Sequence, residues 1–254
     1  LEKRSIKSIL AWLNAVIFMS LSILIATSFS IGFFFESIIG FGGGLIAYAI
    51  LSFFMDLKEM ILAGLYIGTC SSAYIAYTDF KSFDKKIFKS LIPLALMGTI
   101  LGVLVFTKFS TKILSPVFGS LLVLLAVKTI FFDRFSFPKI FKKKLIFIGG
   151  IVHGAFGSGG PFVVNAIKDD FKTKSALRTT MAVFFTFFNF VRIAQLGIQN
   201  QLEPDFFSGI LWTIFPVFIA IKLGHKVHVK LNEDLFKKGV ALMTIFAGLK
   251  FLAS

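Results

Sequence analysis

Apolar residues run along this chain in blocks of about twenty, and charged residues collect in the gaps between them. The blocks fall at 9–29, 31–55, 59–78, 87–107, 112–132, 143–167, 174–198, 206–224 and 235–253. A bilayer-spanning helix needs roughly 20 such residues. The pattern therefore predicts an all-α, polytopic membrane protein. Residues 9–55 form a nearly continuous apolar run that is too long for one span, so a turn is expected near "SFSIG", 28–32.

Two blocks are interrupted by glycine clusters, "SIIGFGGGLIAYAI" at 37–50 and "AFGSGGPFVVNAI" at 155–167. Glycine inside a helix costs roughly 1 kcal/mol relative to alanine, so clusters within apolar sequence need a reason. At an offset of 117 residues, Gly32, Gly40, Gly42 and Gly43 match Gly149, Gly157, Gly159 and Gly160. Ala49, Ile50 and Phe54 match Ala166, Ile167 and Phe171. The following blocks keep nearly the same register. The chain thus reads as two copies, 31–132 and 143–254, after an extra N-terminal helix at 1–30. Each copy is a glycine-broken segment followed by three unbroken ones.

Lysine and arginine favour cytoplasmic loops. If every block spans, the inside carries 15 of them and the outside 11. If the two broken segments are re-entrant hairpins, the inside carries 22 and the outside 4: Lys58, Lys108, Lys112 and Lys250. The hairpin arrangement gives three true spans per copy, an odd number, and so two inverted repeats. Inverted repeats with broken helices at the midplane recur in secondary transporters.

A break exposes the N-terminus of a new half-helix, with free N–H donors and partial positive charge suited to an anion. Gly42, Gly43, Gly44, Gly159 and Gly160 are the candidate backbone donors, and Pro161 suits a helix start. Gly98, Gly102 and Gly119 are assigned to close helix packing.

Ionisable groups inside apolar blocks are costly and therefore candidates for function. Glu36 and His153 each lie four residues before their break, Gly40 and Gly157, and are equivalents under the offset. They are candidates for proton coupling, with hydrogen bonding to freed backbone as the alternative. Asn189, Arg192, Gln195 and Gln199 fall within an arc of roughly 120° on one helix. Asn189 and Arg192 are candidate substrate donors; Arg192 could instead snorkel to the interface. The block at 59–78 is polar too, with Thr69, Ser71 and Ser72, and the pair 59–78 and 174–198 is expected to line the site.

Composition agrees. Hydrophobic residues make up 56% and charged residues 16% of 254, against about 25% charged in soluble domains. The net charge of +14 follows from basic connections, so nucleic acid is not an expected partner; anionic lipid headgroups are. Cys70 is alone and three histidines are scattered, so no disulfide, metal site or cofactor is expected. "GFGGGL" lacks the third glycine of a dinucleotide fingerprint, and Ser158 lacks a placed base, so no enzyme is expected.

"GFGGGLIA" and "GSGGPFVV" together resemble the TauE/SafE family of sulfite and organosulfonate transporters, best over 32–198. Ala49 stands where members usually carry proline. The resemblance implies a multi-pass carrier in the plasma (inner) membrane for sulfite, sulfonate or a similar small anion, compatible with a homodimer. A passive anion channel is the alternative.

Overall fold

The computed structural model describes residues 2–39, 42–131, 138–202, 204–226 and 233–253, and among these no strand occurs. The helices are α1 (Glu2–Ile39), α2 (Gly43–Leu51), α3 (Leu57–Thr78), α4 (Lys85–Lys108), α5 (Thr111–Phe131) and α6 (Lys142–Phe156). They continue with α7 (Gly160–Ile167), α8 (Lys174–Ile198), α9 (Pro204–Ile210), α10 (Ile214–Lys226) and α11 (Glu233–Leu252). Among the described residues, six helical stretches are long and apolar enough to cross a membrane: Met19–Ile38, α3, α4, α5, α8 and Pro204–Gly224.

The turn expected at 28–32 is absent. Helix α1 continues to Ile39, and the chain reverses after it. Hydroxyls in an apolar helix can bond back to the preceding turn instead of breaking it, as Thr27 does to the Ile23 carbonyl at 2.8 Å. Gly32 serves packing: a Cβ there would overlap the Gly43 carbonyl.

Both glycine breaks are chain reversals. Gly32 and Ala47 are neighbours across α1 and α2, whereas a straight helix would hold them about 22 Å apart. Phe29 and Tyr48 meet edge to face at 6.1 Å. In the second copy Gly149 abuts Phe162 and Val163. There Lys142, at the start of α6, pairs with Asp170, just past α7. The second hairpin therefore enters and leaves on the same side.

The charged ends sort accordingly. Asp79, after α3, bonds to Ser175 and Thr179 at the start of α8. Lys128 of α5 reaches Asn165 of α7 at 3.4 Å. At the other end, Asp56, Thr111, Lys112 and Lys250 line one cleft, and Lys58 lies 5.4 Å over the Phe106 ring. Lys58, Lys112 and Lys250 thus share one end, and Lys128 and Lys142 the other. A chain in which every block spans would put Lys142 and Asp170 on opposite faces.

Helix boundaries keep the 117-residue offset. Gly43 and Gly160 begin α2 and α7, and Leu57 and Lys174 begin α3 and α8. Packing follows it too: α3 packs on α8, α5 on α11, α4 on α6 and α1 on α10. Gly102 of α4 abuts Ile151 and Gly154 of α6, while Gly224 of α10 abuts Phe34 and Ser37 of α1. Positions 34 and 37 are the offset partners of 151 and 154. Helices α4 and α10 thus grip α6 and α1 through glycine seams. Gly98, Gly102 and Gly119 all lie in such seams, as the sequence led us to expect.

Asp79 is the polar latch between the copies. It accepts from Ser175, from Ser82 at 2.8 Å and from Thr179 at 2.9 Å, with the Arg178 guanidinium 3.6 Å away. The Ser175 hydrogen bond, aided by Ser82, Thr179 and Arg178, holds its carboxyl below the usual range despite partial burial. The unfolded value is about 3.9. The latch's contribution is therefore present above that pH and is lost as pH falls through the lower folded value. Asp79→Asn is expected to cost about 1–3 kcal/mol at pH 7. Melting of purified protein should show this gap and show it narrowing in acid.

Candidate functional site

The two breaks are built differently. In the first, Gly42 adopts a left-handed conformation with φ 95°, which glycine accepts freely, and α2 begins at Gly43. Glu36 reaches across the turn, and its Oε2 accepts the Gly43 N–H at 2.7 Å. The acceptor at this half-helix N-terminus is therefore the chain's own carboxyl group. Gly40, the residue equivalent to Gly157, lies outside the described residues.

In the second break the left-handed residue is Gly157, with φ 71°. Its N–H bonds to the His153 carbonyl at 2.8 Å and closes α6. Helix α7 starts at Gly160 with Pro161 in its first turn and no side-chain cap. Gly159 packs tightly against the Gly149 carbonyl and His153 Cβ, and Gly160 faces the Phe185 ring. His153, equivalent to Glu36, is 1% exposed and stacks on Phe185 with centroids 5.5 Å apart. Neither of its ring nitrogens completes a hydrogen bond.

Arg192 comes to this break from α8. It is 1% exposed, so it points inward and does not snorkel to the interface. Its Nε donates to the Gly154 carbonyl at 3.1 Å, and Nη1 to Asn189 Oδ1 at 3.4 Å. Nη2 is buried without a partner. A Cβ placed on Gly157 would lie 3.1 Å from Arg192 Nη1 and 3.2 Å from the Tyr48 hydroxyl. The adjacent Ser158 hydroxyl, 7% exposed, is also unpartnered. Among the described residues, no carboxylate pairs with Arg192, and Arg192 is the only Lys, Arg, Asp or Glu that is buried.

A buried, unpaired cation is costly unless something compensates it. Here Arg192 and Tyr48 approach Gly157 at the reversal, and the next residue, Ser158, also keeps an unspent hydroxyl. This arrangement can hold a small anion by charge-assisted hydrogen bonds. The structure brings together Arg192, Asn189, His153, Gly159 and Gly160. Gly42, Gly43, Gly44 and Glu36 stand at the other break, and α2 is the link, carrying Gly43 at its start and Tyr48 further on.

Sequence reasoning overlooked Tyr48 and set Ser158 aside with the protease reading. A signal for Tyr48 existed. Positions 48 and 165 are offset equivalents, and each is the polar residue of a short apolar helix. Their roles differ, since Asn165 bonds to its own Pro161 carbonyl at 2.7 Å. The expected lining pair is α3 and α8. They meet through Thr186 and Ser72 hydroxyls at 3.0 Å, and Gly64 and Gly68 of α3 give room to Tyr48 and Asn189.

Broken helices, a buried cation at one break and six membrane-length helices define a multi-pass membrane protein of the all-α class. The chain belongs to the sulfite exporter TauE/SafE family, which it matches over residues 24–251. Members of that family are membrane transporters of sulfite and related sulfur anions. No curated protein and no solved structure matches the chain.

Proposed function

We propose that this protein is a secondary transporter of the plasma membrane. It moves a small sulfur-containing anion, sulfite or a sulfonate, by alternating access between two inverted repeats. The observation that carries the reading is Arg192, fully buried at the α6–α7 break with Nη2 unspent. Asn189 orients the guanidinium, and Ser158, Gly159 and Gly160 surround the anion. At the other break Gly42, Gly43 and Gly44 provide the matching half of the cage. Glu36 and His153 occupy equivalent places beside the two breaks and couple proton movement to anion movement. The single-sided ends of the second hairpin and the paired glycine seams support the inverted arrangement.

Glu36 gives the mechanism a concrete step. Its carboxylate sits on the Gly43 N–H, so a substrate anion and ionised Glu36 compete for the same donor. Protonation of Glu36 would release that donor. The test is sulfite uptake into proteoliposomes with and without a pH gradient. Wild type should show saturable uptake that responds to the gradient, and Glu36→Gln should keep uptake but lose the response. A response unchanged in Glu36→Gln would remove Glu36 from the coupling path.

A further inference from the structure

Resting on that reading of the Arg192 site, we propose that the site selects monoanions, sulfonates or hydrogensulfite, over dianions such as sulfate. Charge balance sets this preference. Among the described residues Arg192 is the only permanently charged side chain that is buried, and no carboxylate pairs with it. Its neighbours add hydrogen-bond capacity without fixed charge: the Asn189 amide, the Ser158 and Tyr48 hydroxyls and the Gly154 carbonyl.

With Glu36 protonated and the Gly43 N–H released, one negative charge neutralises this environment. A second would stay uncompensated away from water, where an unpaired charge is strongly penalised. The donor geometry favours the same class. Arg192 already spends its Nε–H on Gly154 and one Nη1–H on Asn189, leaving both N–H groups of Nη2 open, with Ser158 Oγ beside the break. A few donors around one cation match the three oxygens of a sulfonate. One cation does not offset the double charge of sulfate. The Gly154 carbonyl, an acceptor held against the guanidinium, further opposes excess negative charge.

Methanesulfonate and sulfate are close in size and shape and differ by one charge. The experiment is calorimetric titration of both into purified wild-type protein, repeated with ethanesulfonate and ethane-1,2-disulfonate. Each monoanion should bind at least about tenfold more tightly than its dianionic counterpart, which is about 1.4 kcal/mol. Arg192→Gln should lose monoanion binding, and Ser158→Ala should weaken it while keeping the preference. Melting and gel filtration of each variant would confirm folding. Equal affinity within each pair, tighter sulfate, or no binding of any of the four would overturn the proposal. Since the titration reads binding alone, that failure is separable from the transport reading, which uptake of sulfite decides.

Discussion

Arg192→Gln is expected to lower anion uptake by roughly thirtyfold to a few thousandfold, the equivalent of about 2–5 kcal/mol for losing one partner of a buried charge pair. Stability should move the other way or not at all. Without substrate the guanidinium is a buried cation with no carboxylate partner among the described residues, and removing such a charge relieves its desolvation cost. Arg192→Lys should also lose most uptake. An ammonium is a single compact charge and cannot serve the Gly154 carbonyl, Asn189 and an anion with the reach of a planar fork. The checks are uptake into proteoliposomes and melting of the same preparations. Full uptake in Arg192→Gln would remove this residue from the site.

Gly102→Ala is expected to be strongly damaging although it adds a single methyl group. The added Cβ would overlap the Ile151 carbonyl and crowd Ala155 N and Gly154 Cα. These are backbone atoms of a neighbouring helix, so no side-chain rotation relieves the overlap, and α4 and α6 must part. Overpacking of this kind costs about 1–3 kcal/mol. Gly224→Ala should behave alike, because its Cβ would overlap the Phe34 carbonyl and Ser37 Oγ at the equivalent seam. Gly239→Ala is the control. Nothing lies within 4 Å of its Cβ position, so the helix preference of alanine should stabilise it by up to about 1 kcal/mol. Melting temperatures of the three variants check the ranking. The Gly102 change also matters for the site, since the same α6 turn presents the Gly154 carbonyl to Arg192.

Much of this architecture is legible in the sequence because loop charge and repeat spacing are one-dimensional signals. Sorting of lysines already favours hairpins, and the Lys142–Asp170 pair and the Asp79 latch have that sorting. Glu36 and His153 are visible because a repeat turns two isolated polar residues into one recurring position. Arg192 is legible as a candidate but not in its direction. It lies six residues before the end of α8, where snorkelling and burial are both open, and the choice is made by a carbonyl on a distant helix. The turn at 28–32 fails for a related reason. Serines and Gly32 look like breakers along the chain, yet in three dimensions Gly32 is the place where α2 lies against α1. Tyr48 is invisible to reasoning about charge, because a phenol counts as apolar in a hydropathy window.

The central claim is that the two hairpins carry an anion past Arg192 by alternating exposure. Counterflow tests it most directly. Proteoliposomes loaded with unlabelled sulfite are diluted into tracer sulfite, and internal label is followed in time. A carrier that exchanges substrate across one site should make the tracer rise transiently above its equilibrium level, and Arg192→Gln should abolish the rise. Tracer that enters wild-type vesicles without any overshoot would contradict the account and point to a channel.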